Sequence, residues 1–566
     1  MGIDVNIRIT GRAGQGVHIA GGILSRLAVA AGRHFHATQD YMSRIRGGRN
    51  SYSVRVMDVP ARAGRADADI LLTLDPSHLP HFLPSVRPGG AVLADAAGEG
   101  ARDARLAVPL KELATAAGNP ILANLVGVGM ISRLLGVPPD LVEKLLSHDF
   151  RGDVLEKNIG AFRSGVAWAE GRFPVSYPLG AGEFRPRAIL SGNEAVALGA
   201  LAGGCKFAAG YPMTPGSGIL AALSTDGPPL GLVFEQAEDE LAALNMAIGA
   251  SYAGARAMVS TSGGGFALMT EALSLAGMME TPVVIALAMR PGPATGMPTR
   301  TAQEDLSFAL SAGHGEFPRL VLAPGSVEEA FALAHHAMEM SEEHQVPCIL
   351  LTDQYLADTI VDAEPEDFSA PPPRRRIVRG KDVPRNGDGK YLRYAFTDSG
   401  VSPMAVPGEP GITVVSDSDE HTEDGHLTED HGVRLRMEEK RERKERGLGA
   451  AALPPVVDGP PEGELALVGF GSTKGVVSEA RKVLARDGAA AAAVHLRQVW
   501  PLPSAELEGI LSRYRTVLTV ENNRTGQLAR LIRAETGRRV DGTVSRCDGL
   551  PFTPDDLVRR IKERKT

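Results

Sequence analysis

The sequence predicts an α/β protein made of three α/β modules, and three observations lead there. The chain has 566 residues, whereas single hydrophobic cores stop growing at about 250–300 residues. Short apolar runs of strand length alternate with longer stretches of helical period along most of the chain, the pattern of βαβ units. Several of the runs pass directly into turns rich in glycine or proline and then into helices, as after Thr10, Gly210 and Ser260, which is how α/β sheets place binding loops.

Composition narrows the class of protein. A hydrophobic fraction of 43% with 23% charged residues is that of a globular protein. The formal charge of −8 carries no basic stripe, so nucleic acid is not expected as a partner. No run approaches the roughly 20 apolar residues that span a bilayer, and Met1-Gly2-Ile3-Asp4-Val5 leads into a strand without a basic-then-apolar leader. The expectation is a cytoplasmic protein with no membrane partner. Cys205, Cys348 and Cys547 form no C-x-x-C pair, so an iron-sulfur cluster would have to come from another chain. All three read as small buried hydrophobes.

The first module is placed at 1–180. Val5 to Thr10 reads as a strand, Gly11-Arg12-Ala13-Gly14-Gln15-Gly16-Val17 as a turn, and His18 to about Ala31 as a helix. Such a turn can set backbone amides against a phosphate-bearing ligand. The glycine spacing is not that of the dinucleotide fingerprint, and no acidic residue stands clearly where a ribose would need it; a purely structural turn fits equally. Arg46-Gly47-Gly48-Arg49 reads as a tight turn into the strand Ser51 to Val56, and Ala68–Leu74 and Gly90–Asp95 as further strands.

The second module is placed at 181–370. A helix is expected from near Asn193, then a strand from Phe207 into Tyr211-Pro212-Met213-Thr214-Pro215-Gly216-Ser217. The two prolines fix φ around Thr214 while the next helix begins with free amides, so a carboxylate or phosphate could sit there. An ordinary proline-rich turn with Ser217 as helix cap fits the same residues. Glu235 to Ala250 reads as one alanine-rich helix with its acids crowded into the first turns, where the dipole stabilises them. Glu240 stands where the small-residue face begins, so burial is expected there. The stretch Ala257–Ser260 ends in Thr261-Ser262-Gly263-Gly264-Gly265, and the apolar run Pro282–Met289 suits a central parallel strand. Arg290 follows that strand, and Thr214 follows another. Ligands of open α/β sheets bind beyond such strand ends, so the two could converge on one carboxylate, although Arg290 could equally be a surface ion-pair residue. The loop Gly292 to Thr299 is stiffened by proline and opened by glycine.

A charged connector follows at 371–455. It opens Pro371-Pro372-Pro373-Arg374-Arg375-Arg376 and ends in a charged, solvated helix over 437–446. The acids between Asp417 and Asp424 read as solvated rather than as metal ligands. The last module, 456–566, returns to alternation, with strands at Leu465–Phe470, Ala490–Leu496 and Arg515–Val520, then Glu521-Asn522-Asn523.

Taken together, Tyr211-Pro212-Met213-Thr214-Pro215, the Glu238-Asp239-Glu240 segment with Gly249-Ala250-Ser251, the Thr261 to Phe266 turn, and Arg290 with Gly292 to Thr299 resemble the alpha subunit of 2-oxoacid:ferredoxin oxidoreductases. Gly14-Gln15-Gly16 and Arg46-Gly47-Gly48 resemble that family's gamma domain, fused here at the N-terminus. The second and third modules then resemble a thiamine pyrimidine-binding domain and a transketolase C-terminal domain. The resemblance implies Thr214, Arg290 and Tyr211 as substrate-binding residues. It implies Glu240, or secondarily Glu238, as the carboxylate against the thiamine ring and Glu240 as catalytic. It also implies thiamine diphosphate with magnesium and an iron-sulfur cluster, both held mainly by a beta subunit, with coenzyme A as co-substrate and ferredoxin as acceptor. No Gly-Asp-Gly followed by Asn-Asn at a suitable spacing is present to hold the diphosphate; Asn386-Gly387-Asp388-Gly389 lacks that sequel. The chain alone is therefore expected to be inactive, and an (alpha-beta)2 heterotetramer active. The expected reaction is CoA-dependent oxidative decarboxylation of a 2-oxoacid, with 2-oxoglutarate preferred on subunit arrangement alone over pyruvate or branched-chain 2-oxoacids. Two other readings stay open: a non-oxidative thiamine enzyme, and a non-catalytic nucleotide-binding scaffold using the Gly11 turn.

Overall fold

The structure, a computed structural model, describes residues 2–43, 47–95, 106–180 and 182–564. The Arg46 part of the expected Arg46 to Arg49 turn lies outside them. The chain separates into two compact units, Met1–Leu190 with Thr359–Asp367, and Ser191–Asp358 with Phe368–Thr566.

The first unit is built on an eight-stranded sheet. In chain order its strands are β1 (Asp4–Gly11), β2 (His34–Asp40), β3 (Asn50–Met57), β4 (Ala68–Thr73), β5 (Val86–Asp95), β6 (Leu106–Val108), β7 (Ala188–Ser191) and β14 (Ile360–Ala363), in the order β6-β5-β4-β1-β3-β2-β14-β7. The alternation Val5, Ile7, Ile9 puts those side chains in the core, as period-two strands do. Beside it β3 buries Tyr52, Val54 and Val56. The strand β2 was not expected, because His34-Phe35-His36-Ala37-Thr38-Gln39-Asp40 carries few apolar residues; it forms because β3 offers it a full antiparallel ladder. After β1 the chain turns through Gly14 and Gly16 at φ 89 and 76, a region open to glycine without strain, and the helix Val17–Ala30 follows.

The second unit holds two sheets. Its seven-stranded sheet runs β18-β12-β13-β11-β10-β8-β9, with β8 (Cys205–Gly210), β9 (Val233–Gln236), β10 (Arg256–Thr261), β11 (Val283–Met289), β12 (Leu320–Leu322) and β13 (Pro347–Asp353). These six pair in parallel. All seven residues of β11 are buried, as its apolar run predicts for a strand covered on both faces. The edge strand β18 (Gln498–Trp500) pairs antiparallel with β12 and comes from the last module. The five-stranded sheet has β15 (Val456–Asp458), β16 (Gly463–Phe470), β17 (Ala491–Leu496), β19 (Tyr514–Glu521) and β20 (Gly542–Ser545), in the order β15-β17-β16-β19-β20. One hydrophobic core runs from Val259 and Ile285 through Val321 to Val468 and Val494, so the two sheets share it.

Three expectations need correction. The charged helix, His431–Ala450, is solvated along one side only, since it buries Met437, Lys440, Arg441, Lys444 and Leu448. Lys440 Nζ donates to both oxygens of Glu280 at 2.7 and 2.6 Å, and Lys444 joins the same carboxylate; the neutralising acid lies far away in sequence, where composition cannot show it. Glu235 belongs to β9 and the helix begins only at Glu240, with Asp239 capping it through a bond from Ala242 N of 2.7 Å; an extended Asp at the cap satisfies an otherwise orphaned amide and stops the helix there. Cys547 is exposed, while Cys205 and Cys348 are buried. Glu420, in the acidic stretch, pairs with Arg434 and Arg441, and among the described residues no group of three His, Cys, Asp or Glu is placed to hold a metal.

Candidate active site

Because β8, β9, β10, β11 and β13 are parallel, the segments leaving their C-terminal ends gather on one side of the sheet. Those segments are the Thr214 turn, the approach to Glu240, the Thr261 to Gly265 turn, Arg290 with its loop, and Asp353. The Thr214 turn packs on the end of β10: Ser260 Oγ donates to the Gly216 carbonyl at 2.9 Å, and a Cβ on Gly216 would stand 2.7 Å from the Thr261 carbonyl oxygen. The bond between Thr214 and Pro215 is cis. The helix Ser217–Asp226 then starts with no side-chain cap, and Ser217 instead gives its amide to the Met213 carbonyl at 3.0 Å. Ser217 is therefore not the helix cap that the sequence allowed.

Arg290, directly after β11, donates from Nη1 to the Thr214 carbonyl oxygen at 2.6 Å. The two residues expected to share a ligand are thus joined, through the backbone of one. Burial lowers the guanidinium's pKa and Asp305 opposes that, so the cation is held partly out of water with hydrogen-bond donors to spare. Tyr211 is 42% exposed at the mouth of the turn. The glycine turn sits between two of these segments: a Cβ on Gly264 would lie 3.6 Å from the Ala294 carbonyl oxygen and 4.0 Å from Met213 Sδ.

The two glutamates separate cleanly. Glu238 is exposed on the loop after β9, free to be solvated. Glu240 is 3% exposed, and its Oε1 finds no hydrogen-bond partner among the described residues. A Cβ at Gly265 would collide with that oxygen and with Thr261 Oγ1, so glycine is needed for the carboxylate to lie against the turn. A buried carboxylate oxygen without a donor is costly. Such atoms are kept where a ligand supplies the missing donor.

Other buried atoms here share that condition. Asn193 Oδ1, Ser262 Oγ, Asp305 Oδ2 and Asp353 Oδ2 also lack partners among the described residues. Asn193 opens the helix Gly192–Ala202 and its Nδ2 reaches the Pro215 carbonyl at 3.4 Å; Ser262 follows Thr261. Sequence reasoning passed over Asn193, Ser262 and Asp305 as functional residues. Asp305 stands before the apolar start of the short helix Leu306–Ser311, where an acid reads as a cap, yet it makes no cap bond. The charge of Arg290 opposes a rise in its carboxyl pKa caused first by burial and then by Glu304, which together bring it to about 6. The loop after Arg290 is tied down by Glu304, which accepts the Gly292 amide at 3.0 Å. Gln303 anchors its far end to the last module, donating to the Phe470 carbonyl at 2.7 Å and accepting from Asn522 N at 3.0 Å.

Chemically, the arrangement offers one partly desolvated cation, a rigid turn beside it, and a buried carboxylate that wants a donor. That suits an anionic substrate next to a group bearing N-H donors. Residues 198–440 match the family described as pyruvate flavodoxin/ferredoxin oxidoreductase, thiamine diP-binding. Residues 6–168 match pyruvate ferredoxin/flavodoxin oxidoreductase, and residues 463–557 match pyruvate:ferredoxin oxidoreductase core domain II. The chain is 34% identical to the "2-oxoacid:ferredoxin oxidoreductase 2, subunit alpha" of Aeropyrum pernix, over 99% of this chain and 98% of that one. It is 29% identical to the "2-oxoglutarate oxidoreductase subunit KorA" of Mycobacterium tuberculosis, over 99% of this chain and 91% of that one. Among solved structures, the 2-oxoglutarate:ferredoxin oxidoreductase from Magnetococcus marinus, with 2-oxoglutarate, coenzyme A and succinyl-CoA bound, superposes with a TM-score of 0.92 at 31% identity, covering 100% of both chains. Similarity over the whole length makes the chain a member of the 2-oxoacid:ferredoxin oxidoreductase family of thiamine-diphosphate-dependent enzymes, in the position of the alpha subunit.

Proposed function

We propose that this chain is the alpha subunit of a complex that decarboxylates 2-oxoglutarate oxidatively in the cytoplasm, forming an acyl-CoA and reducing ferredoxin. The carbon-carbon bond to the carboxylate breaks and carbon dioxide leaves. The acyl carbon gains a bond to the CoA sulfur as the thiol S-H bond breaks and its proton is released, and the two electrons left on the acyl carbon pass one at a time to two ferredoxins. In this reading 1–180 is the gamma domain, 181–370 the pyrimidine-binding-like domain, 371–455 the connector and 456–566 the transketolase C-terminal-like domain. A beta subunit would carry the magnesium, the diphosphate contacts and the iron-sulfur cluster, and the complex would be an (alpha-beta)2 heterotetramer.

The observation that carries the proposal is the buried Glu240 Oε1 without a partner, set across the glycine turn from the joined Thr214 and Arg290. Thiamine diphosphate, when bound, supplies the electron sink for loss of carbon dioxide. The residues here fit it: Glu240 would accept the donor of its aminopyrimidine ring and hold the proton whose movement activates the cofactor. Glu238, exposed, has no comparable hold. Arg290 and Thr214 would fix the substrate carboxylate, with Tyr211 closing the mouth, so that the carbon to be attacked is presented in one orientation. Support for 2-oxoglutarate comes from the substrates named for the Magnetococcus and Mycobacterium proteins.

The test is CoA-dependent viologen reduction by the chain purified with its copurifying subunit, with 2-oxoglutarate, pyruvate and 2-oxoisovalerate each as substrate. Reduction fastest with 2-oxoglutarate and absent from the isolated chain is expected. Preference for another 2-oxoacid would replace the substrate, and activity of the chain alone would remove the beta subunit from the account.

A further inference from the structure

Asp305 is a carboxyl at this site to which the proposed reaction gives no task. It lies under the glycine turn, where a Cβ on Gly263 would stand 2.5 and 2.8 Å from its two oxygens. Its Oδ2 is buried and has no hydrogen-bond partner among the described residues. The charged groups facing it are Arg290 from the end of β11 and Glu304, its chain neighbour. Glu240 stands at the far end of the same glycine turn. Of the other buried acids in this unit, Asp353 accepts from Leu356 N and from Thr301 through its Oδ1, and Glu521 accepts from Leu528 N and Ala529 N. Asp305 and Arg290 feel each other's charge yet form no ion pair, because the guanidinium is turned to the Thr214 carbonyl.

We propose that Asp305 is a positioning residue acting through Arg290: its carboxylate competes at a distance with the substrate carboxylate for that cation, and it takes a proton from solvent as the substrate binds. The inference rests on Arg290 as the substrate's anchor. The physics is that of a third charge. With Asp305 ionised, the field that Arg290 offers to an incoming anion is partly cancelled, and a bound anion makes ionisation of Asp305 harder still. Burial and Glu304 already bring that carboxyl to about 6, so the exchange falls in the pH range where the complex would be assayed. Affinity for the 2-oxoacid should therefore fall roughly three- to tenfold as pH rises from about 5.5 to about 7.5, for charges coupled through a partly desolvated site.

Two measurements on the intact complex decide it. Calorimetric titration with 2-oxoglutarate and with pyruvate near pH 6, in buffers of different ionisation enthalpy, should show proton uptake on binding. In steady state, Asp305→Asn should lower KM for the 2-oxoacid several-fold at neutral pH and flatten its pH dependence, while kcat moves little. A merely structural residue would raise KM or lower activity at all pH values. Binding without proton uptake overturns this inference alone, and so does an Asp305→Asn complex whose KM is unchanged or raised. If that variant does not assemble, the proton count on the unaltered complex decides. Absence of any 2-oxoacid binding would overturn it together with the reading of Arg290.

Discussion

Glu240 and Arg290 are the two side chains on which the proposed function turns, and each makes a prediction of its own. Glu240→Gln keeps the shape but removes the charge and the acceptor symmetry, so turnover of the complex should fall about 10²–10⁴-fold, the range for loss of a positioned proton-transfer group. Its thermal unfolding should stay unchanged or move upward, because a buried carboxylate oxygen without a donor has been removed; a large loss of stability would make Glu240 structural. Arg290→Ala should raise KM for the 2-oxoacid by roughly 10²-fold or more, the scale of losing a buried charge-assisted contact, and Arg290→Lys should recover little of it because a point charge does not reproduce the guanidinium's reach to the Thr214 carbonyl. Unchanged KM in both variants would remove Arg290 from the site. The strand-end places of Thr214 and Arg290 and the burial of Glu240 could be read from the sequence because strand ends and small-residue faces are visible there. Asn193 and Asp305 could not: a polar residue at a helix start reads as a cap, and only the folded chain shows that Asp305 caps nothing.

The helix His431–Ala450 shows where reading by elements failed. Its run of Glu, Lys and Arg has the composition of a solvated helix, but composition is silent on a partner that is distant in sequence. Burial alone would raise the pKa of Glu280; the charges of Lys440 and Lys444 outweigh it and hold the carboxyl well below the usual range. A carboxylate depressed in this way contributes stability above its unfolded value of about 4.5, and that stability is lost as pH falls below it. Glu280→Gln leaves two buried ammonium groups without their counter-charge and should cost about 3–5 kcal/mol, measured by denaturant unfolding; a cost under about 1 kcal/mol would show that the lysines escape to water. Lys444 moves the other way. Burial pushes it down to about 7 against the pull of Glu280, so between that value and its unfolded 10.5 the unfolded chain binds more protons and stability rises with pH. Lys444→Met should flatten that rise, which pH-dependent melting would show. The strands were more legible than this helix: β11 followed from an apolar run buried on both faces, whereas β2 arose from pairing with β3 rather than from its own residues.

At the scale of the whole molecule, the last module is part of the fold that carries the site. Its strand β18 completes the edge of the seven-stranded sheet at β12, its core is continuous with that sheet's core, and Asn522 and Asn523 hold Gln303 at the foot of the Arg290 loop. A chain ending at 455 would expose the β12 edge and one wall of the core, and it should aggregate; a soluble monomer of that length, seen by gel filtration, would show the modules to be independent. The α/β class and the βα alternation were legible because hydrophobic period is local, while the sharing of a sheet and a core between modules depends on contacts that no local pattern records. The central claim, that Glu240 serves a thiamine cofactor shared with a second subunit while Arg290 holds a 2-oxoacid, is tested most directly by one comparison. The purified complex and its Glu240→Gln variant are assayed for 2-oxoacid-dependent, CoA-dependent viologen reduction, with thiamine diphosphate content measured in each. The account predicts comparable cofactor content and at least a ~10²-fold loss of reduction in the variant; full activity in the variant would contradict it.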